Sequence, residues 1–289
     1  PLGLPTEGEA SYAYSKAVID YQMSLVKGKK ARAYFIMGNH DWKNGKIGGW
    51  EQSLNQTEYI NGQLQKNIQA FPTNGCPGPD LIEIDTMLAL TLVDSQWFLH
   101  THDKPGPGSG CASKTVDEFS TELGEIIRSH PNQLIVVATH HPLHTFGVHG
   151  GTTYNLRHHI FPLTEAVRGL YIPLPVLGSV YPIARGLFGN IQDVNHPLYR
   201  GMANTIEEVV KTNPNALVVS GHDHSLQLLQ VDSMYQIVSG SAAEISRVNQ
   251  RKNNDDLIFS KVNYGAAVIE VTQSGKVSTR FFDITSPNY

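Results

Sequence analysis

Nowhere in this 289-residue chain do eighteen apolar residues run together, so the sequence holds no helix suited to crossing a bilayer. Lysine and arginine are in slight deficit, 22 against 26 acidic residues. A net charge of −4, read with no basic cluster, argues against a dedicated nucleic-acid surface. Internal repeats and low-complexity tracts are also missing, which removes solenoid and linker architectures. Cysteine is nearly absent: only Cys76 and Cys111 occur, each in a Gly/Pro-rich segment. Between them, residues 81–85 and 87–93 read as two paired strands whose ends would bring the cysteines together. A disulfide in an oxidising compartment and two free thiols in a cytosolic enzyme both remain open.

What is present is core. With 40% hydrophobic content, the chain has enough apolar surface for one large α/β domain, expected to span residues 1–289. An irregular insertion is expected at about 150–199, where the apolar runs 161–163, 170–176 and 180–183 are broken by prolines. Tyr14, Val18, Tyr21 and Leu25 recur at helical spacing between residues 10 and 27, which puts Asp20 on the solvent side of a helix. Similar stripes predict helices over 115–129 and 202–212. Strands are expected at 225–231, 235–238, 264–271 and 276–283, with Gln273-Ser274-Gly275 turning the last pair into a hairpin. Such a mixture suits a two-sheet β-sandwich flanked by helices.

Three histidine-bearing strings carry the chemistry. Gly38-Asn39-His40-Asp41 follows the apolar run 34–37, Thr139-His140-His141-Pro142 follows 134–138, and Gly221-His222-Asp223-His224 follows 216–219. The runs read as buried strands, and the C-terminal ends of such strands are where open α/β sheets collect ligands. Neutral imidazoles from His140, His222 and His224, with the amide oxygen of Asn39, suit zinc, iron or manganese. A lone loop histidine is ordinarily a solvated side chain; three such strings after three such strands are not explained that way.

The three strings, in this order, resemble those of the calcineurin-like metallophosphoesterase superfamily, including purple acid phosphatase-like proteins of bacterial type. The resemblance runs from about residue 10 to about residue 283. It implies a four-layer α/β sandwich and metal-dependent hydrolysis of phosphate mono- or diesters at a binuclear centre of two divalent or trivalent ions, Fe, Zn or Mn. Asn39, His140 and His222 match ligands of one metal, and His224 matches a ligand of the other. His40 matches the histidine that contacts the scissile phosphate and protonates the leaving group, with Asp41 as its carboxylate partner. His149, in Phe146-Gly147-Val148-His149-Gly150, resembles a substrate-side histidine, and His141 is expected beside the ligands.

One part of the pattern is missing. The family supplies further aspartates from upstream strings, and no Gly-Asp dipeptide occurs anywhere in this chain. Residues 1–5, Pro-Leu-Gly-Leu-Pro, lack an initiating methionine and read as interior loop, so upstream strands bearing these aspartates are expected to lie outside the sequence. The chain then holds part of a site, and weak binding of one metal with little turnover is expected. A catalytically inactive binding or surface module is the alternative. Purple acid phosphatase-like relatives are commonly secreted or periplasmic, which favours the disulfide and a periplasmic, secreted or cell-surface location. The resemblance also admits a fused or adjacent outer-membrane domain as a partner, beside the phosphorylated substrate.

Overall fold

Period-2 alternation in the central strands decides the architecture. The structure, a computed structural model, describes residues 3–150, 160–161, 171–174, 179–180, 190–249 and 255–284. In chain order the helices are α1 (Tyr12–Ser24), α2 (Gly49–Asn61), α3 (Ser95–Leu99), α4 (Val116–Ser129) and α5 (Pro197–Val210). The strands are β1 (Ala33–Phe35), β2 (Ile68–Ala70), β3 (Asp80–Glu83), β4 (Leu88–Leu92), β5 (Leu134–Thr139) and β6 (Ala216–Ser220), then β7 (Leu226–Val231), β8 (Met234–Ser239), β9 (Leu257–Lys261), β10 (Gly265–Val271) and β11 (Val277–Asp283).

Seven strands form one sheet in the order β3-β4-β5-β6-β8-β7-β9. Its centre, β4-β5-β6-β8, is parallel, while β3, β7 and β9 join antiparallel. Ile135 and Val137 of β5 point into the main core with Phe119, Leu123 and Ile127 of α4 and Met202, Ile206 and Val210 of α5. Val136, between them, faces the other way with Leu217 and Ile237, against Ala267 and Ile269 of β10 and Phe281 of β11. Strands covered on both faces read as unbroken apolar runs for this reason. The result is the expected mixed α/β fold, a large sheet flanked by helices. Outside that sheet, among the described residues, are the β10–β11 hairpin against its second face and a separate parallel β1–β2 pair, rather than one continuous second sheet.

Several expectations need correction. β1 is not a buried strand of the main sheet: it has three residues, all half-buried, and pairs only with β2. In α1 the buried residues are Ser15, Ile19 and Met23, so the Tyr14/Tyr21/Leu25 stripe faces solvent instead. Asp20 is not a free surface charge, because it accepts from Lys16 Nζ at 2.8 Å and from the Tyr59 hydroxyl of α2. α5 begins five residues before the expected 202, since Pro197 fits the first turn, where its missing N–H is not needed, and His196 caps Leu198 N. The expected insertion lies mostly outside the described residues.

The cysteines are joined. The Cys76–Cys111 disulfide closes a separation of 35 residues around the antiparallel β3–β4 pair. No helix among the described residues is long and apolar enough to cross a membrane.

Candidate metal centre

β5 and β6 are adjacent and parallel, with Thr139 opposite Ser220, so the second and third strings leave the sheet side by side. The first string reaches them from the other pair: after β1 the chain turns at Gly38, where Asp41 N and Trp42 N both donate to Gly38 O. Three donor atoms meet at this junction. His140 Nε2 lies 2.9 Å from Asn39 Oδ1 and 3.3 Å from His222 Nδ1. The Asn39 amide is aimed by its own Nδ2, which donates to Asn44 Oδ1 at 3.3 Å. His222 is aimed by its far nitrogen, Nε2, which donates to the Gln192 carbonyl at 3.0 Å and leaves Nδ1 with its lone pair toward His140.

Burial keeps these rings neutral. His140 and His222 are held well below the ordinary 6.5, first by desolvation and then by the neighbouring histidines. A neutral imidazole is the metal-binding form, so the donors are ready at neutral pH without losing a proton to solvent. Two imidazole nitrogens and an amide oxygen converging in a largely buried pocket fit a borderline divalent cation.

His141 belongs to the same cluster of rings, and one of its nitrogens lies within 4.8 Å of a nitrogen of His140 and of His222. It is nevertheless fully buried, with Nδ1 2.8 Å from Ser95 Oγ and Nε2 2.7 Å from Gln192 Oε1. Both nitrogens are engaged, and burial takes the ring down to about 3. His141 therefore lies behind His140 and His222 with both ring nitrogens already engaged.

Asp41 also departs from expectation. Its Oδ2 accepts from Gly38 N at 2.7 Å, closing the turn that presents Asn39, and no hydrogen bond among the described residues joins it to His40. Burial raises the Asp41 carboxyl, opposed by the Gly38 bond and the Gln56 side chain. His40 stands exposed beside the cluster, lowered by desolvation and influenced by Asp41 through charge alone.

His149 is placed close to the ligands. Its ring lies 3.9 Å, centroid to centroid, from that of His222, and its Nδ1 donates to Asp193 Oδ1 at 3.0 Å. His224 stands apart from the three-histidine group, with Nδ1 3.0 Å from Glu244 Oε2.

The residue between the two histidines of the third string has a different task. Asp223 is fully buried and accepts from the Thr145 hydroxyl and from His149 N at 3.3 Å. It ties the loop after β5 to the loop after β6, and a Cβ at Gly147 would fall 2.3 Å from its Cγ. Asp94 plays a similar part on the other side. It caps α3 through Gln96 N and Trp97 N and accepts from Trp42 Nε1 at 2.8 Å, joining the first string to the helix that carries Ser95. Gln192, Asp193, Ser95 and Asp94 were not legible as site residues; each is an ordinary polar side chain in sequence. Beside His140 an apolar cleft of about 380 Å³ opens between Ile36, Val219, Ile237, Ala267 and Ile269.

An Asn/His donor cluster thus lies across the strand ends of a parallel-centred α/β sheet. The sequence profile of the calcineurin-like phosphoesterase family matches residues 5–226, and the chain belongs to that family. No curated protein matches the sequence significantly. Among solved structures, GAP50, the anchor in the inner membrane complex of Plasmodium, is similar at 14% identity with a TM-score of 0.49, over 98% of this chain and 82% of that one. PhoD is similar at 8% identity with a TM-score of 0.39, over 71% of this chain, which spans 40% of PhoD.

Proposed function

We propose that this chain acts as a metal-dependent phosphoric ester hydrolase of purple acid phosphatase-like type on phosphate mono- or diesters. The observation that carries the reading is the meeting of Asn39 Oδ1, His140 Nε2 and His222 Nδ1 within 3.3 Å of successive neighbours. These three residues would hold one cation, and a second would fall toward His224. When bound, such ions neutralise charge on the phosphoryl oxygens and lower the pKa of a water.

The chain's own residues supply the rest. His40, exposed next to the donors, is positioned to meet a phosphate oxygen or to hand a proton to the departing alkoxide. His149, held by Asp193, lies with its ring against that of His222. Asp223 and Asp94 hold the loops that carry these groups. The disulfide favours an oxidising compartment, and we place the protein in the periplasm, at the cell surface or outside the cell.

The test is hydrolysis of p-nitrophenyl phosphate and of bis(p-nitrophenyl) phosphate with added zinc, manganese or iron, for the chain and for His40→Asn. Metal-dependent turnover that falls about 100-fold or more in His40→Asn supports the reading. A second reading, a binding module without turnover, is favoured by one feature: the converging donors include no carboxylate, and His224 sits apart with Glu244. Metal binding with no hydrolysis of either ester would select it.

A further inference from the structure

α1 has an outer face of unusual chemistry. A surface helix normally turns charged side chains to water. Here the exposed residues of the helix are Ala13, Tyr14, Ala17, Tyr21 and Ser24, and none is charged. Its two charged residues, Lys16 and Asp20, keep 38% and 42% of their side chains exposed but are bound to each other and to Tyr59. Tyr14 is 64% exposed, Tyr21 68% and Leu25, just past the helix end, 52%. With half-buried Val18, they form an apolar ridge some 16 Å long at 1.5 Å per residue.

The ridge runs into a cluster of cations. Lys27, Lys29, Lys30 and Arg32 follow within six residues, all exposed, and none has a carboxylate ion-pair partner among the described residues. The overall charge of −4 hides this local excess. The turn bearing it is also rigidly held. Asn67 Nδ2 donates to the carbonyls of Val26, Lys29 and Ala31 at 3.4, 3.3 and 2.8 Å, and Ala33 N donates back to Asn67 O at 2.8 Å.

We infer that this face docks on an anionic phospholipid surface. Tyrosine rings prefer the water–hydrocarbon boundary, and cations beside an apolar ridge meet headgroup phosphates at that depth. The acidic residues Glu7 and Glu9 lie at the opposite end of the helix, so Tyr21, Leu25 and the basic turn approach the surface first. A face built for an acidic protein or for nucleic acid would need its cations along the ridge, where there are none.

Flotation with vesicles of phosphatidylcholine alone and of phosphatidylcholine mixed with phosphatidylglycerol tests this directly. The chain is expected to float with the mixed vesicles at low salt, to be released by high salt and to ignore phosphatidylcholine alone. Lys29→Glu/Lys30→Glu is expected to lower partitioning more than about ten-fold, and Tyr21→Ser/Leu25→Ser by a similar factor. All four positions are exposed, and circular dichroism checks that both variants fold. Equal partitioning of both variants and the parent chain would overturn the inference, as would failure to float with any vesicle. A concentration-dependent dimer lost in Tyr21→Ser/Leu25→Ser, without vesicle binding, would assign the face to a second copy and overturn it equally.

Discussion

Gly38 and His140 are in direct contact: a Cβ on Gly38 would lie 2.5 Å from Nδ1 of the His140 ring. The glycine therefore gives the imidazole room beneath the first string, so that Nε2 reaches Asn39. Gly38→Ala must displace the ring, and it is expected to cost about 1–3 kcal/mol in urea unfolding and to weaken zinc binding about ten-fold or more. Wild-type zinc affinity in the variant would show that this contact does not position His140.

Asp223 is the lock between the loops after β5 and β6. Removing its carboxylate leaves the Thr145 hydroxyl and the His149 amide without their buried acceptor. Asp223→Ala is expected to lose about 2–4 kcal/mol, and Asp223→Asn distinctly less, because one acceptor oxygen survives. Denaturant midpoints compare the two, and equal losses would contradict this role.

The Cys76–Cys111 bridge closes a separation of 35 residues. Constraint of the unfolded chain over a loop of that size contributes about 4 kcal/mol. Cys76→Ser/Cys111→Ser is expected to unfold at correspondingly lower denaturant, and a reductant is expected to shift the parent chain but not the variant. Insensitivity of the parent to reductant in a thermal melt would count against the bridge as a stabiliser.

His100 predicts an acid limb. Burial, then the charges of Lys104 and His102, hold its imidazole down to about 4 from an ordinary 6.5. Between those values the unfolded chain binds the extra proton, so stability falls as the pH falls through that window, by up to about 3 kcal/mol from this residue. Asp94, pushed up to about 7 by burial, acts in the opposite sense between 3.8 and 7, so the comparison must be made within a variant pair. His100→Gln is expected to lose less stability than the parent between pH 6.5 and 4. Parallel pH profiles would remove His100 as the cause.

The histidine strings stood out in sequence because each follows an apolar run, and β5, β6 and the β10–β11 hairpin fell within a residue or two of expectation. α2 was not, for a physical reason: its buried face is Gln52, Ser53, Gln56, Thr57 and Ile60, so no apolar period marks it. The α1 stripe misled in the opposite direction, since the helix carries apolar residues on both faces and only packing tells which is inward. The supports of the site were hidden because Gln192, Asp193 and Ser95 act through single long-range hydrogen bonds, which leave no spacing in sequence. Asp41 was misread for a related cause. The resemblance implied it as the carboxylate partner of His40, whereas its Oδ2 accepts from Gly38 N in the turn.

The central claim is that Asn39, His140 and His222 together hold a metal ion. Isothermal titration of the metal-free chain with zinc, beside His140→Ala and His222→Ala, tests it most directly. The account predicts zinc binding by the parent chain and a loss of affinity of about 100-fold or more at this site in each variant. Undiminished binding in both variants, or no binding by the parent, would contradict it.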